Sequence, residues 1–333
     1  MISHTTPAGT LVLGAEDYAG SKRDKWLEAR RSGIGASEMA AILGLSPWST
    51  PYKVWRDKVS TTPPVELNTE PIEWGHAHEA TIARRVSARH PELGKIAPSP
   101  GLMRHDDAPH VLATVDRLLV ERGVRDAPAH AVLEIKNIGL PSWRHSFKDG
   151  APPVYYELQV MMQLAVTGLD VGYLAVHYGG QKMDYPYRIE RDDEAIGALL
   201  TYAETWWADF VDTRTPPPLI LADQDILTDV YRGDKDLSPF TAKGDVLDAY
   251  AAYVDAHRRE KEAKAEKDEA GFIVKKAMGD QTALIDNLGT VLATWAPRST
   301  NRFDTTRFRK DHPDLAKEYT KTSQSRTFNI KEN

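Results

Sequence analysis

The sequence predicts an α/β domain followed by a helical arm with a small α+β extension. Three observations lead there. Short apolar runs and helical stretches alternate between Glu73 and Thr213, as they do when helices cover a sheet. Pro216-Pro217-Pro218 then ends the last long helix, because a proline triplet cannot continue one. Beyond it, Lys243 to Met278 is dense in Ala, Glu and Lys and reads as a long helix. The expected regions are 1–218 and 219–333, which suits a chain of 333 residues at roughly 150 residues per domain.

Ser21 to Arg31 reads as a polar helix around Trp26. Gly33 to Ser37 is a turn, with Ser37 placed to cap a helix from Glu38 to Leu43. Pro51 suits the first turn of a helix over Tyr52 to Val59. Thr61 to Pro71 is a loop, and Glu73 to Ser87 a helix. Val111–Val115, Arg117–Val120 and Ala131–Ile135 are short apolar strands. Pro141 to Lys148 is helical, and Tyr155 to Val166 is a helix ending at Gly168. Val171–Tyr178 and Met183–Ile189 form a hairpin turned at Gly179-Gly180. Asp192 to Thr213 is a helix whose Trp206, Trp207 and Phe210 read as core. In the C-terminal region, Thr282 to Trp295 is a hairpin, Thr305 to Lys310 a short helix and Ser325 to Ile330 a last strand.

Composition narrows the chemistry. There is no cysteine, so disulfide scaffolds, cysteine-held zinc, iron–sulfur clusters and a catalytic thiol are excluded. The formal net charge of −6 argues against coating nucleic acid through bulk charge. The charge is uneven, however. Residues 298–333 carry nine Lys/Arg against five Asp/Glu, a +4 end on a −10 remainder. The start lacks a basic leader and no run approaches the ~20 apolar residues of a membrane helix. A cytoplasmic setting without membrane contact is expected, the host cytoplasm if the chain is phage-encoded.

The richest segment is Asp116 followed by Glu134-Ile135-Lys136. Two residues apart in a strand, Glu134 and Lys136 project from one face. Beside the Asp116 strand they would gather two carboxylates and an ammonium. Carboxylates hold Mg²⁺ in an oxygen shell, and a bound metal activates water and stabilises phosphate charge. Lys136 can orient that water or help deprotonate it. Taken alone, these residues fit a nuclease site and a surface strand with an ion pair equally well. A decoy, Glu262-Ala263-Lys264, lies in a charged helical run. Three flanking elements add to the nuclease reading. Glu79 can supply a third carboxylate. Tyr156 and Gln159, at i and i+3, can reach a phosphate or the attacking water. Arg30 and Ser37 flank the Gly33/Gly35 turn as an anchor for a terminal phosphate.

Arg30…Gly33-Ile34-Gly35-Ala36-Ser37, Trp74-Gly75…Glu79, Thr114-Val115-Asp116, Glu134-Ile135-Lys136 and Tyr156…Gln159…Gly168 occur in this order. Together they resemble the YqaJ-type viral recombinase family, relatives of phage lambda exonuclease among the PD-(D/E)xK nucleases. The resemblance spans about Lys25 to Pro218. It implies a restriction-endonuclease-like mixed central sheet flanked by helices. It also implies Mg²⁺-dependent 5′→3′ digestion of one strand of double-stranded DNA from its ends, with Mn²⁺ as a substitute metal. The metal ligands would be Asp116, Glu134 and the Ile135 carbonyl, the catalytic lysine Lys136, the helix carboxylate and glutamine Glu79 and Gln159, and the 5′-phosphate residues Arg30 and Ser37. A ring-shaped trimer and a single-strand annealing partner are carried over as expectations. Val115 departs from the family, standing where many members carry proline.

Bland readings stand beside these. His76 and His78 read as a polar helix end, since His-x-His on a helix divides between faces. Arg31 is either a surface charge or a second phosphate contact. Trp143, Arg144 and Lys148 either line a DNA path with Tyr156 or are ordinary surface. Two rival functions stay open: an endonuclease or nickase of the same superfamily, and a non-catalytic DNA-binding protein that keeps the fold. A Cas4-like enzyme, which needs a four-cysteine cluster, is removed by the absence of cysteine.

Overall fold

The computed structural model describes residues 9–15, 23–62, 69–147, 150–231, 239–321 and 326–330. It divides into two compact units, Met1–Asp225 and Ile226–Asn333. The first unit therefore runs on past the proline triplet. Asp223 is fully buried there, and its carboxylate accepts from the Thr50 hydroxyl at 2.5 Å and from the Ile220 N–H at 3.0 Å.

The first unit opens with β1 (Thr10–Gly14), α1 (Arg23–Arg30), β2 (Ile34–Gly35) and a 3₁₀ turn, Ala36–Glu38, that leads into α2 (Met39–Ile42). Ser37 does not cap α2 as expected. It lies inside the 3₁₀ turn, and the Glu38 carboxylate takes the Gly35 N–H instead, at 2.7 Å. Gly33 is required here, since a Cβ at that position would stand 2.7 Å from the His110 carbonyl oxygen. Helix α3 (Pro51–Lys58) has Thr50 as its N-cap, accepting from the Lys53 N–H at 3.1 Å. Helix α4 (Glu70–Arg89) is longer than expected because Pro71 sits in its first turn rather than in the preceding loop.

Next come β3 (Lys95–Pro98), β4 (Gly101–Arg104), β5 (Val111–Thr114), β6 (Arg117–Val120), β7 (Ala129–Ile138), α5 (Leu140–Ser146), α6 (Val154–Thr167) and β8 (Val171–Tyr178). Gly168 closes α6 in the left-handed conformation, at φ 69°. The expected strand returning from β8 is broken into β9 (Lys182–Met183) and β10 (Tyr187–Glu190). Pro186 lies in the gap and has no N–H to give the ladder. Helix α7 (Asp193–Trp206) is capped by the Asp192 carboxylate, and its continuation over Trp207–Asp212 widens into a π-helix.

Two sheets result. A four-stranded sheet has the order β1-β4-β5-β2, and a six-stranded sheet the order β10-β8-β7-β6-β3 with β9 on β8. The six-stranded sheet is mixed, because β7 and β8 run parallel while β6 and β7 run antiparallel. Alternation decides its two faces. Leu118, Val132 and Leu174 pack with Val160 and Leu164 of α6, while Leu119, Leu133 and Ala175 pack with Ile82 and Val86 of α4. The sheet is thus the middle of three layers, the mixed α/β arrangement expected for this region. Glu134 and Lys136 share the parity of Val132, so β7 turns them toward α6. Trp206 and Trp207 are buried in a third cluster with Ile34, Met39 and Met162, with Phe210 packed against it.

The second unit holds α8 (Leu227–Val230), α9 (Asp245–Met278), the hairpin of β11 (Ala283–Ile285) and β12 (Val291–Thr294), α10 (Thr305–Asp311) and α11 (Pro313–Glu318). Two details depart from expectation. Pro313 starts a helix that the sequence reading omits, and residues 326–330 are not a strand. Ser325 lies outside the described residues. No helix among the described residues is long and apolar enough to cross a membrane.

Candidate active site

The chain passes from the four-stranded to the six-stranded sheet at Val115-Asp116, between β5 and β6. The β6–β7 register pairs Arg117 with Leu133, so one further step sets Asp116 opposite Glu134. There the Asp116 carboxylate accepts the Ile135 N–H at 2.8 Å, a donor that β6 no longer reaches. Asp116, Glu134 and Lys136 therefore converge because a strand ends where its neighbour carries on.

Helix α6 supplies the other wall. Glu134, 2% exposed, accepts from Lys136 Nζ at 2.6 Å, Gln159 Nε2 at 2.6 Å and Gln163 Nε2 at 2.6 Å. Lys136 also donates to Gln159 Oε1 at 3.0 Å and lies 5.2 Å from the centroid of the Tyr156 ring. Gln163, fully buried, ties Glu134 to the Thr114 carbonyl at 3.0 Å. The sequence reading missed Gln163. Its signal was the i, i+4 spacing from Gln159, which puts both amides on one face. Glu79, on α4, lines the same cavity and is held by an ion pair with Arg117, a partner also not anticipated.

Electrostatics sharpen this cluster. Burial, then repulsion from Glu134 and Glu79, pushes the Asp116 carboxyl well above its ordinary range, although Lys136 and the Ile135 N–H oppose the shift. Burial alone would lower Lys136, but Glu134 and Asp116 beside it hold its ammonium above the usual lysine value. Burial raises the Tyr156 phenol to about 12, so it stays protonated at neutral pH. A pair of carboxylates that cannot comfortably both ionise, with oxygen donors and no sulfur, fits a hard divalent cation such as Mg²⁺ or Mn²⁺. Asp116 and Glu134 would hold it, with the Ile135 carbonyl as a third donor. Among the described residues no group of three or more His, Cys, Asp and Glu forms a ready-made metal cage, so waters or phosphate oxygens would complete the shell.

The cavity has a volume of about 690 Å³ and reaches from this cluster to Arg30, Gly35 and Ser37. Arg30 packs over Trp26 at 4.9 Å, donates to Ser37 Oγ at 3.4 Å and pairs with Glu38 at 3.3 Å. Beneath it lies a buried pair. Lys58, with no side-chain exposure, contacts Glu38 at 2.8 Å and donates to the Arg30 carbonyl at 3.0 Å. Burial and then Arg30 lower the Lys58 pKa against the pull of Glu38. The pair is not legible locally, since Lys58 ends a short helix and its partner lies 20 residues earlier.

Three of the possible DNA-path residues lie elsewhere. Arg31 pairs with Asp57 at 3.1 Å, donates to the Thr62 carbonyl at 2.5 Å and does not line the cavity. Trp143 stacks on Tyr178 at 4.2 Å and packs against the core instead of lining a DNA path. Arg144 is exposed on α5 and does not line the cavity. Lys148 lies outside the described residues. His76 lines the cavity, whereas His78 stacks on Trp74 and contacts Asn137 at 3.2 Å.

The model of the YqaJ-like viral recombinase domain matches residues 25–170. Over that span the chain is similar to YqaJ-like viral recombinase domains. Every residue of the carboxylate–lysine cluster, and the Arg30 turn, falls inside it. The uncharacterized protein YqaJ of Bacillus subtilis (strain 168) is 29% identical over 314 residues, 93% of this chain and 94% of that one. This chain is also similar to the crystal structure of an alkaline exonuclease (LHK-Exo) from Laribacter hongkongensis, at 18% identity and a TM-score of 0.47, covering 58% of this chain and 94% of that one. A phage-related exonuclease from Haemophilus somnus 129PT is similar at 11% identity and a TM-score of 0.38, covering 55% and 96%.

Proposed function

We propose that this chain is a Mg²⁺-dependent deoxyribonuclease of homologous recombination that digests one strand of linear duplex DNA from a 5′-phosphorylated end, leaving a 3′ overhang. One observation carries the proposal: a single cavity joins a carboxylate-rich pole at Asp116 and Glu134 to an arginine–hydroxyl pole at Arg30 and Ser37. The first pole suits a divalent cation and the second a phosphate terminus. The YqaJ-like viral recombinase domain over residues 25–170 supports the link to recombination.

When bound, the metal lowers the pKa of a water and offsets charge on the scissile phosphate. The chain's residues do the rest. Asp116 and Glu134 fix the metal, and Gln159 and Gln163 fix Glu134. Lys136 orients the attacking water and sets positive charge beside the scissile phosphate. Arg30 and Ser37 grip the terminal phosphate and so set which bond enters the site. The overhang calls for a single-strand annealing protein as partner.

Digestion assays test the proposal. Nucleotide release from linear duplex with Mg²⁺, none with EDTA and none from closed circular DNA is expected. Cutting of the closed circle would identify an endonuclease instead. Absence of hydrolysis with both Mg²⁺ and Mn²⁺ would leave a non-catalytic DNA-binding protein.

A further inference from the structure

A second hollow adjoins the first, with a volume of about 280 Å³, lined by Ser37, Ser46, Trp48, Lys136, Tyr155 and Gln159 among others. Ser37, Lys136 and Gln159 line both cavities, so the hollow opens beside the groups assigned to the two phosphates of a terminal nucleotide. Its wall is aromatic. Trp48 meets Tyr155 edge-on at 4.9 Å and Tyr156 at 5.8 Å.

Trp48 is 65% exposed, yet its backbone is fixed. The Ser46 hydroxyl accepts from the N–H groups of Trp48 at 3.2 Å and Ser49 at 3.3 Å, and the Leu45 N–H donates to the Ala40 carbonyl at 2.8 Å. The loop that presents the indole is thus built before any ligand arrives. Such a ring, left in water beside a polar cleft, is a stacking platform. A hollow of this size suits one ring system rather than a length of duplex.

We propose that Trp48, backed by Tyr155, stacks on the nucleobase of the 5′-terminal nucleotide, the one to be released. This rests on the function proposed above. With the terminal phosphate at Arg30 and Ser37 and the scissile phosphate at Lys136, one nucleotide spans the gap and its base enters the hollow. Stacking tolerates any base, as processive digestion requires.

A binding cycle without metal tests the subsite apart from catalysis. Affinity is measured in EDTA for 5′-phosphorylated linear duplexes whose terminal residue is normal or abasic. The wild-type chain is expected to prefer the normal end by about five- to hundredfold, the range for one stacked base. Trp48→Ala is expected to bind both ends equally, and Trp48→Phe to keep most of the preference. A Trp48→Ala variant that retains the wild-type preference, or a wild type that shows none, overturns the subsite. Adding Mg²⁺ to the same normal duplex tests the parent function separately: a base preference without nucleotide release would leave the subsite standing and remove the nuclease.

Discussion

Two lysine–glutamate pairs sit in one domain and behave in opposite ways. Glu134–Lys136 and Glu38–Lys58 have similar separations, 2.6 and 2.8 Å. Burial disfavours the charge on both lysines, yet Lys136 is held above the ordinary lysine value and Lys58 below it. The neighbours make the difference. Around Lys136 stand Glu134, Asp116 and Glu79, against Lys136 and Arg117. Around Lys58 stand two carboxylates, Glu38 and Asp57, against Lys58, Arg30 and the Arg31 that pairs with Asp57. The first group is one positive charge short and the second has one to spare. A cation would complete the first and an anion the second, which is the pattern that the proposed metal-dependent action on a phosphorylated end requires.

The largest break in this comparison comes from Lys136→Ala. Nucleotide release from linear duplex with Mg²⁺ is expected to fall at least a thousandfold, comparable to removing a principal electrostatic group, while DNA affinity in EDTA changes little. Near-wild-type turnover would detach the carboxylate pole from catalysis. Next is Lys58→Met, which leaves Glu38 partly buried with only Arg30 as counter-charge. Urea unfolding is expected to show a loss of about 3 kcal/mol, the low end for breaking a buried pair because Arg30 remains. Asp116→Asn should act in the other direction on the metal-free fold. It removes one of two repelling carboxylates, so the melting temperature in EDTA should rise by about 2–4 °C. Mg²⁺ should then stabilise the wild type and not the variant. Arg31→Ala gives the smallest effect: nucleotide release within about twofold of wild type and a stability loss of about 1 kcal/mol, the upper end for a partly exposed ion pair.

These residues also mark how far the sequence could be read. Glu134 and Lys136 were visible because strand alternation alone sends both to one face, and Asp116 because apolar runs flank it. Arg30 and Ser37 were visible through the glycine turn between them. Lys58 was not, because its burial depends on α3 packing against a turn 20 residues earlier, at Glu38. The alternatives for Arg31 and Trp143 stayed open for the same reason: their partners, Asp57 and Tyr178, are distant in sequence and claim side chains that locally look free. Gln163 and Arg117 lay within one helical turn or one residue of expected groups, yet their roles appear only once α6 and α4 are packed on the sheet. In the C-terminal region the composition of α9 sufficed for its helix, whereas residues 326–330 had strand-like composition but form no strand.

The claim that one cavity carries a cation pole and a phosphate pole is tested most directly by end preference. Initial rates of nucleotide release with Mg²⁺ are compared on 5′-phosphate and 5′-hydroxyl linear duplexes, for wild type and Arg30→Ala. The wild type should favour the phosphorylated end by about tenfold or more, in line with loss of a charge-assisted contact. Arg30→Ala should bring that rate down to the hydroxyl level and leave the hydroxyl rate unchanged. A preference that survives Arg30→Ala, or an equal loss on both ends, would contradict the two-pole account.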